Sequence, residues 1–213
     1  MYYRAMFVDR SQAGQKLAGA LVGYKGKKAL VLALPRGGVP VGYEIAKVLH
    51  CPLDTVVARK VGAPGNPEYA VGAIAPGGVR ILEESVYGIE KVIEEETKEM
   101  GRRMKKYRSG SYARGVRPEV VILVDDGVAT GKTASAALAY ARAAYPKAKL
   151  VFAAPVGAQD SLARIKREAD EVVLLEIPPE FMAVGEWYVS FPQLRDEEVV
   201  EYLEKAREFA PPA

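Results

Sequence analysis

The chain has 213 residues, of which 49% are hydrophobic and 27% are charged, and its formal net charge is +3. This composition is typical of a globular domain, and so small a charge excess does not favour a nucleic-acid partner. No segment approaches the length of a membrane span, and the N-terminal residues lack the apolar stretch of a signal peptide. We therefore expect a cytoplasmic protein without a membrane partner. The single cysteine, Cys51, excludes an internal disulfide framework.

Helical and extended patterns alternate along most of the chain. The predicted helices cover about residues 9–24 (with Asp9 as N-cap), 39–49, 89–107, 132–144, 161–169 and 197–209. The predicted strands cover about residues 29–34, 55–58, 69–75, 79–82, 121–124, 150–154 and 171–175. This order predicts an α/β fold with a mainly parallel sheet flanked by helices. Ligands of such sheets bind at the carboxyl ends of the strands.

The run from Val121 to Thr133 is the most informative part of the chain. A buried strand leads into Asp125 and Asp126, and a short loop bounded by Gly127 and Gly131 leads into a helix. Backbone N–H groups of such a loop converge on an anion, and the helix dipole favours a phosphate there. Carboxylates repel phosphate, but they can accept hydrogen bonds from the vicinal hydroxyls of a ribose. The pattern therefore indicates a ribose 5-phosphate site.

This run has two other interpretations. The sequence Gly131-Lys132-Thr133 is similar to the end of a nucleoside-triphosphate P-loop. However, the first glycine of that motif would fall on Asp126, whose charge would face the phosphates. The two acids could also serve only as helix caps.

The segment DDGVATGKT resembles the phosphoribosyl-pyrophosphate signature of the type I phosphoribosyltransferases. In that family the two acids hold the ribose 2- and 3-hydroxyls, and the loop cups the 5-phosphate. The resemblance implies a ribose 5-phosphate site formed by Asp125, Asp126, Gly127, Val128, Ala129, Thr130, Gly131, Lys132 and Thr133. It also implies one domain over residues 1–213, with a core at about 25–176 and a flexible loop. A small hood would be formed by about 177–195 and the N-terminal helix.

A second motif follows the strand predicted at residues 29–34. Arg36 offers a planar fork of donors that suits phosphate oxygens, and Gly37 and Gly38 allow close backbone approach. The segment could be an ordinary strand-to-helix turn. It resembles the pyrophosphate loop of the family, which implies pyrophosphate binding by these three residues. Family members often have a cis peptide in this loop, and the resemblance puts it at the Arg36–Gly37 bond.

The third motif begins with Arg59 and Lys60 and continues to Tyr69 through a segment rich in glycine and proline. We expect a mobile loop there, although a solvated turn with surface charges is the other interpretation. In the family, a flexible catalytic loop lies between the two motifs described above. The resemblance therefore implies that Arg59 and Lys60 contact pyrophosphate and act as catalytic residues together with Asp125 and Asp126.

Residues 177–194 are rich in aromatic side chains. Phe181 and Trp187 are the candidates for stacking on a planar acceptor. Alternatively, these rings only fasten the C-terminal segment to the domain. His50 and Cys51 are interpreted as structural, because one histidine and one cysteine make neither a metal site nor a catalytic dyad.

The resemblance implies transfer of a 5-phosphoribosyl group from phosphoribosyl pyrophosphate to a nitrogen acceptor, with release of pyrophosphate. Mg²⁺ would be the cofactor, bound mainly through phosphoribosyl pyrophosphate, and no metal ligand is assigned to the protein. Enzymes for 6-oxopurines carry an Asp where this chain has Ala129, and an Asp in the hood where this chain has Glu186. Hypoxanthine and guanine are therefore disfavoured as acceptors.

A regulatory module that binds phosphoribosyl pyrophosphate without transferring it is the alternative function. A homodimer is one assembly that the sequence leaves open.

Overall fold

The computed structural model describes residues 5–83, 86–107 and 115–208. The helices are α1 (Arg10–Ala20), α2 (Gly38–Leu49), α3 (Glu90–Tyr107), α4 (Lys132–Ala144), α5 (Gln159–Ile165) and α6 (Asp196–Lys205). The strands are β1 (Ala29–Ala33), β2 (Leu53–Thr55), β3 (Arg59–Ala63), β4 (Asn66–Ala75), β5 (Val79–Leu82), β6 (Val120–Val124), β7 (Lys149–Val156) and β8 (Glu171–Glu176). Within these ranges no helix has the length and apolarity needed to cross a membrane.

Five strands form the central sheet, in the order β2-β1-β6-β7-β8, and all of its neighbouring pairs are parallel. The sheet is covered on both faces, which explains why its central strands are apolar throughout rather than alternating. In β1, Val31 and Ala33 pack in the cluster formed with α1, α2 and α6. Leu30 and Leu32 pack in the cluster formed with α4 and α5. The predicted α/β fold with a parallel sheet flanked by helices is confirmed.

The segment expected to be a mobile loop is instead a β-hairpin. Strand β3 pairs antiparallel with β4, and β4 pairs with β5 in a separate three-stranded sheet. Pro64 and Gly65 form the turn, and Gly65 has φ +79°. Gly62 is needed because a Cβ there would lie 2.5 Å from the Pro67 carbonyl oxygen, where the pairing register shifts. The residues that suggested a loose loop therefore form the turn and the close contact of a hairpin.

Other boundaries differ from prediction by a few residues. Asp9 is the N-cap of α1, as predicted, since its carboxylate accepts a 2.8 Å hydrogen bond from the Gln12 N–H. A 3-10 turn at Val22–Tyr24 follows this helix. The strand predicted at residues 55–58 was wrong in position, because β2 ends at Thr55. Phe209, the predicted end of the last helix, lies outside the described residues.

The segment before α1 meets the segment between β8 and α6 beside the carboxyl edge of the central sheet. Phe7 and Tyr188 form a parallel bridge, and the Val189 N–H donates to the Phe7 carbonyl at 2.8 Å. The rings of Phe7 and Tyr188 lie 5.5 Å apart between centroids. These contacts join the segment before α1 to the segment after β8, and together with α1 we call these segments the hood.

Helix α1 crosses α2 closely, and this crossing gives a direct test of the packing. A Cβ at Gly14 would lie 2.9 Å from the Val41 carbonyl oxygen, whereas a Cβ at Gly19, on the same helix, meets nothing within 4 Å. We expect Gly14→Ala to lower the free energy of unfolding by about 1–3 kcal/mol through overpacking. The matched control Gly19→Ala should raise it by up to about 1 kcal/mol, because alanine favours the helix. Denaturant titration of both variants measures this, and equal effects at the two positions would contradict the close crossing.

Candidate active site

The loop after β1 and the loop after β6 meet because their strands are parallel neighbours. Ala33 pairs with Val124 in register, and the Leu34 N–H donates to the Val124 carbonyl at 2.8 Å. A Cβ at Gly37 would lie 1.8 Å from Oδ2 of Asp126, and a Cβ at Gly38 would lie 2.6 Å from the Val124 carbonyl oxygen. Neither position can hold a side chain without movement of its neighbours. The predicted pyrophosphate loop thus lies directly against the predicted ribose site.

The cis peptide of this loop is the Pro35–Arg36 bond. The resemblance had put it one bond later, at Arg36–Gly37, and that prediction was wrong. The resemblance located the loop, but no residue in it marks which of its peptide bonds is cis.

The two acids at the end of β6 lie in different environments. The Asp126 N–H donates to Oδ1 of Asp125 at 2.9 Å, which turns the first carboxylate back toward the chain. Burial, followed by the neighbouring Asp126 carboxylate, raises the pKa of Asp125 well above its ordinary value. The Asp126 carboxylate instead has a cation beside it.

That cation is Arg10, which the sequence analysis missed. Its Nε donates to Oδ2 of Asp126 at 2.7 Å, and its Nη1 donates to the Pro192 carbonyl at 2.8 Å. Tyr188, from the hood, donates its hydroxyl to the Asp126 carbonyl at 2.5 Å. One signal was available. Arg10 is the first residue of α1, where the helix dipole disfavours a cation, so a carboxylate partner could have been expected.

The predicted phosphate loop connects β6 to α4 beside the end of β7. The Val128 N–H donates to the Val156 carbonyl at 3.0 Å, and the Ala158 N–H donates back to the Val128 carbonyl at 2.9 Å. Gly131 is the N-cap of α4 with φ +73°, a conformation that favours glycine. Among the residues that the structure describes, none accepts a backbone hydrogen bond from the N–H groups of residues 129–134. These groups remain available to an anion.

The Lys132 side chain does not point back into this loop. It is buried, and its ammonium donates to the Ala70 carbonyl and pairs with Glu83. Lys132 therefore fastens the start of α4 to the second sheet, and its backbone N–H is the group that faces the loop. Thr130 is exposed and Thr133 is half-buried.

Each of the three cations predicted to contact pyrophosphate lies near a carboxylate of the protein. Nε of Arg59 donates to Oε2 of Glu96 at 2.6 Å, and the ammonium of Lys60 lies 3.4 Å from Oε2 of Glu68. Nη1 of Arg36 lies 3.7 Å from Oδ1 of Asp196.

Asp196 is buried at the start of α6 and has stronger partners than Arg36. The Tyr107 hydroxyl and Nη2 of Arg102 each donate to it at 2.7 Å. Burial alone would raise the pKa of Asp196, but these hydrogen bonds outweigh it and lower the pKa below its ordinary value. The Asp196 carboxylate therefore keeps two hydrogen-bond donors even if Arg36 moves away.

The two aromatic candidates for acceptor stacking pack against each other. The rings of Phe181 and Trp187 lie 6.3 Å apart between centroids and 14° from parallel, and Trp187 is 5% exposed. Trp187 also belongs to the apolar cluster that holds Phe7 and Tyr188. The structure thus favours the alternative in which these rings fasten the hood to the domain.

The chain belongs to the phosphoribosyl transferase domain family, the class that the fold and both loops had indicated. The sequence model of that family matches residues 9–189, which include the acid pair and the loop after β1. This confirms the resemblance to the type I phosphoribosyltransferases.

Individual relatives agree with this membership. A protein of Mycobacterium tuberculosis, strains H37Rv and CDC 1551, is provisionally named a phosphoribosyl transferase and is 44% identical to this chain over 214 residues. The aligned region covers 96% of this chain and 48% of that protein. The chain thus spans about half the length of the curated relatives it matches. The crystal structure of TT1426 from Thermus thermophilus matches this structure with a TM-score of 0.75, and the two sequences are 40% identical. The match covers 96% of this chain and 99% of that chain.

The raised pKa of Asp125 predicts a cost in stability. At pH values between the ordinary carboxyl pKa near 4 and the raised pKa of the folded state, Asp125 is protonated in the folded protein but has released its proton in the unfolded protein. The free energy of unfolding therefore falls as pH rises through this range. Asp125→Asn removes this loss while keeping the oxygen that accepts from the Asp126 N–H. We expect the variant to gain stability over the wild type as pH rises from about 4 to 7, measured by thermal melts across that range.

Asp170 provides a control of opposite sign. The Leu150 N–H, followed by the Arg142 guanidinium, lowers the pKa of Asp170. Asp170→Asn should therefore lose stability at neutral pH, and this loss should shrink as pH falls through the lowered pKa. A pH-independent effect of Asp125→Asn would contradict the predicted protonation.

Proposed function

We propose that the protein transfers the 5-phosphoribosyl group from phosphoribosyl pyrophosphate to a nitrogen acceptor and releases pyrophosphate. The observation that carries this proposal is the contact of the Asp126 carboxylate with the Gly37 backbone, beside a loop whose N–H groups are open to an anion. Acceptors for ribose hydroxyls, donors for a phosphate and a second close-approach loop then lie at one edge of the sheet. Membership in the family supports the same reaction class.

In this proposal, the acid pair accepts hydrogen bonds from the ribose hydroxyls and residues 127–133 hold the 5-phosphate. Arg36, Arg59 and Lys60 neutralise the departing pyrophosphate. Arg36 can move from Asp196 to the ligand without leaving a bare buried carboxylate, because Tyr107 and Arg102 remain on it. Arg59 would exchange Glu96, which is 25% exposed and so can be solvated by water, for a phosphate oxygen. Rate enhancement would come from positioning and from stabilising negative charge on the leaving group.

The carboxylates of Asp125 and Asp126 are hard oxygen ligands of the kind that Mg²⁺ prefers. Within the described part of the chain, no group of three or more His, Cys, Asp or Glu side chains could hold a metal ion. Mg²⁺ commonly keeps several waters and binds substrate phosphates. We propose that the ion binds together with phosphoribosyl pyrophosphate near Asp125 and Asp126, where it would supply positive charge to the leaving group.

The acceptor is proposed to be a nitrogen compound other than hypoxanthine or guanine. The positions that carry an Asp in 6-oxopurine enzymes are occupied here by Ala129, which has no acid group, and by Glu186, which is exposed in the hood. The Ala129 position therefore lacks the carboxylate near purine N7 that the resemblance associates with 6-oxopurine enzymes.

Pyrophosphate release tests the proposal directly. The protein is incubated with phosphoribosyl pyrophosphate and Mg²⁺ against a panel of nucleobases and small amines, and released pyrophosphate is quantified. Release that depends on one acceptor is the expected result and identifies the substrate. Binding of phosphoribosyl pyrophosphate without release for any acceptor would favour the regulatory alternative, and absence of binding would overturn the site itself.

Gly37→Ala tests the contact between the two loops. Its Cβ would displace the Asp126 carboxylate, since it would lie 1.8 Å from Oδ2. We expect the affinity for phosphoribosyl pyrophosphate, measured by calorimetry with Mg²⁺, to fall by about ten-fold or more as charge-assisted hydrogen bonds are lost. Gly23→Ala is the control, because a Cβ there meets nothing within 4 Å. Equal affinities of the two variants would show that the loops act separately.

A further inference from the structure

Arg10 and Asp126 form a largely enclosed ion pair between two parts of the protein. Their side chains are 10% and 13% exposed, and Nε of Arg10 lies 2.7 Å from Oδ2 of Asp126. Arg10 begins the N-terminal helix, whereas Asp126 follows the central strand β6. A carboxylate that is shielded from water needs such a partner to remain charged and in place.

The same guanidinium is fixed by the hood on its other sides. Its Nη1 donates to the Pro192 carbonyl at 2.8 Å, and its central carbon lies 3.7 Å from the centroid of the Phe191 ring. This combination of a donor fork and a stacked planar face is specific to arginine. The Arg10 side chain therefore has little freedom to move without the hood.

The pairing also fixes the orientation of the Asp126 carboxylate. Arg10 binds Oδ2, which is also the oxygen nearer to the position that a Cβ at Gly37 would take, at 1.8 Å against 3.0 Å for Oδ1. The cation reduces the repulsion between the two adjacent acids and a ligand that carries several phosphate charges. Tyr188 holds the backbone of Asp126 from the hood through its carbonyl.

We propose that Arg10 is a positioning residue that fixes the Asp126 carboxylate for the ribose hydroxyls and couples this acid to the hood. This inference rests on the proposed function, because it assigns Asp126 to the ribose of phosphoribosyl pyrophosphate. Arg10 does not touch the reacting atoms in this role. It acts through Asp126.

A double-mutant cycle tests this role. The affinity for phosphoribosyl pyrophosphate with Mg²⁺ is measured by calorimetry for the wild type, Arg10→Met, Asp126→Asn and the double variant. We expect each single variant to bind about ten-fold or more weakly, and the double variant to bind no more weakly than Asp126→Asn alone. The double variant also removes both charges of the pair, so it keeps the test valid if Arg10→Met folds poorly.

Two further variants separate positioning from general stability. Lys16→Met removes another cation of α1 that rests against an aromatic ring of the hood, with Nζ 5.2 Å from the Phe7 centroid. It should bind like the wild type. Arg10→Lys keeps the charge but loses the donor fork, so its affinity should lie between those of the wild type and Arg10→Met. Thermal melts of all variants show whether affinity follows stability instead.

The outcomes distinguish the two proposals. If the wild type binds phosphoribosyl pyrophosphate and Arg10→Met binds equally well or more tightly, the role of Arg10 is overturned while the proposed function stands. Additive losses in the double variant would likewise assign Arg10 a purely structural role. If the wild type does not bind at all, the proposed function fails, and the role of Arg10 in ligand binding fails with it.

Discussion

The contact of the Gly37 backbone with the Asp126 carboxylate is the constraint on which the site depends. It exists because β1 and β6 are parallel neighbours whose carboxyl ends lie side by side, and because Gly37 and Gly38 have no side chain to separate the loops. The same pair of strands therefore supplies both the acid pair and the loop that carries Arg36. A fold in which these strands were not adjacent would hold the same motifs apart, so the pairing of β1 with β6 brings two sequence motifs into contact.

Balanced charge is the second principle of the site. The cation–carboxylate pairs are Arg10 with Asp126, Arg36 with Asp196, Arg59 with Glu96 and Lys60 with Glu68. For the more enclosed pairs, such as Arg10 with Asp126, the partner limits the desolvation cost of the charged groups. Such pairing also permits exchange, because a multiply charged anion can replace a carboxylate as the partner of an arginine or lysine. Asp196 is suited to this exchange, since two other donors hold it at 2.7 Å while Arg36 lies 3.7 Å away.

Local signals in the sequence predicted the core of the site, and long-range contacts explain what they missed. The run from Val121 to Thr133 was predicted correctly as strand, acid pair, loop and helix, because each step is encoded by adjacent residues. The strand predicted at residues 69–75 is the greater part of β4, but β3, the turn and the start of β4 were predicted as a loop, since glycine and proline mark a tight turn and a loose segment equally well. Arg10 lies 116 residues from Asp126, so no local pattern joins them. The acceptor candidate Trp187 was an aromatic residue whose burial only the folded hood reveals.

The division of the molecule into core and hood explains why the sequence indicates the family but does not identify the acceptor. The proposed contacts from the acid pair, the loop after β6 and Arg36 come from strand ends of the central sheet, where geometry is shared by all parallel sheets of this kind, whereas Arg59 and Lys60 lie in β3 of the second sheet. The hood is built by two distant segments that pair at Phe7 and Tyr188, and its packing depends on particular rings. Arg10 belongs to this hood yet pairs with an acid of the core. A change in the hood that moves Pro192 or Phe191 would therefore shift Arg10, and through it the carboxylate proposed to hold the ribose.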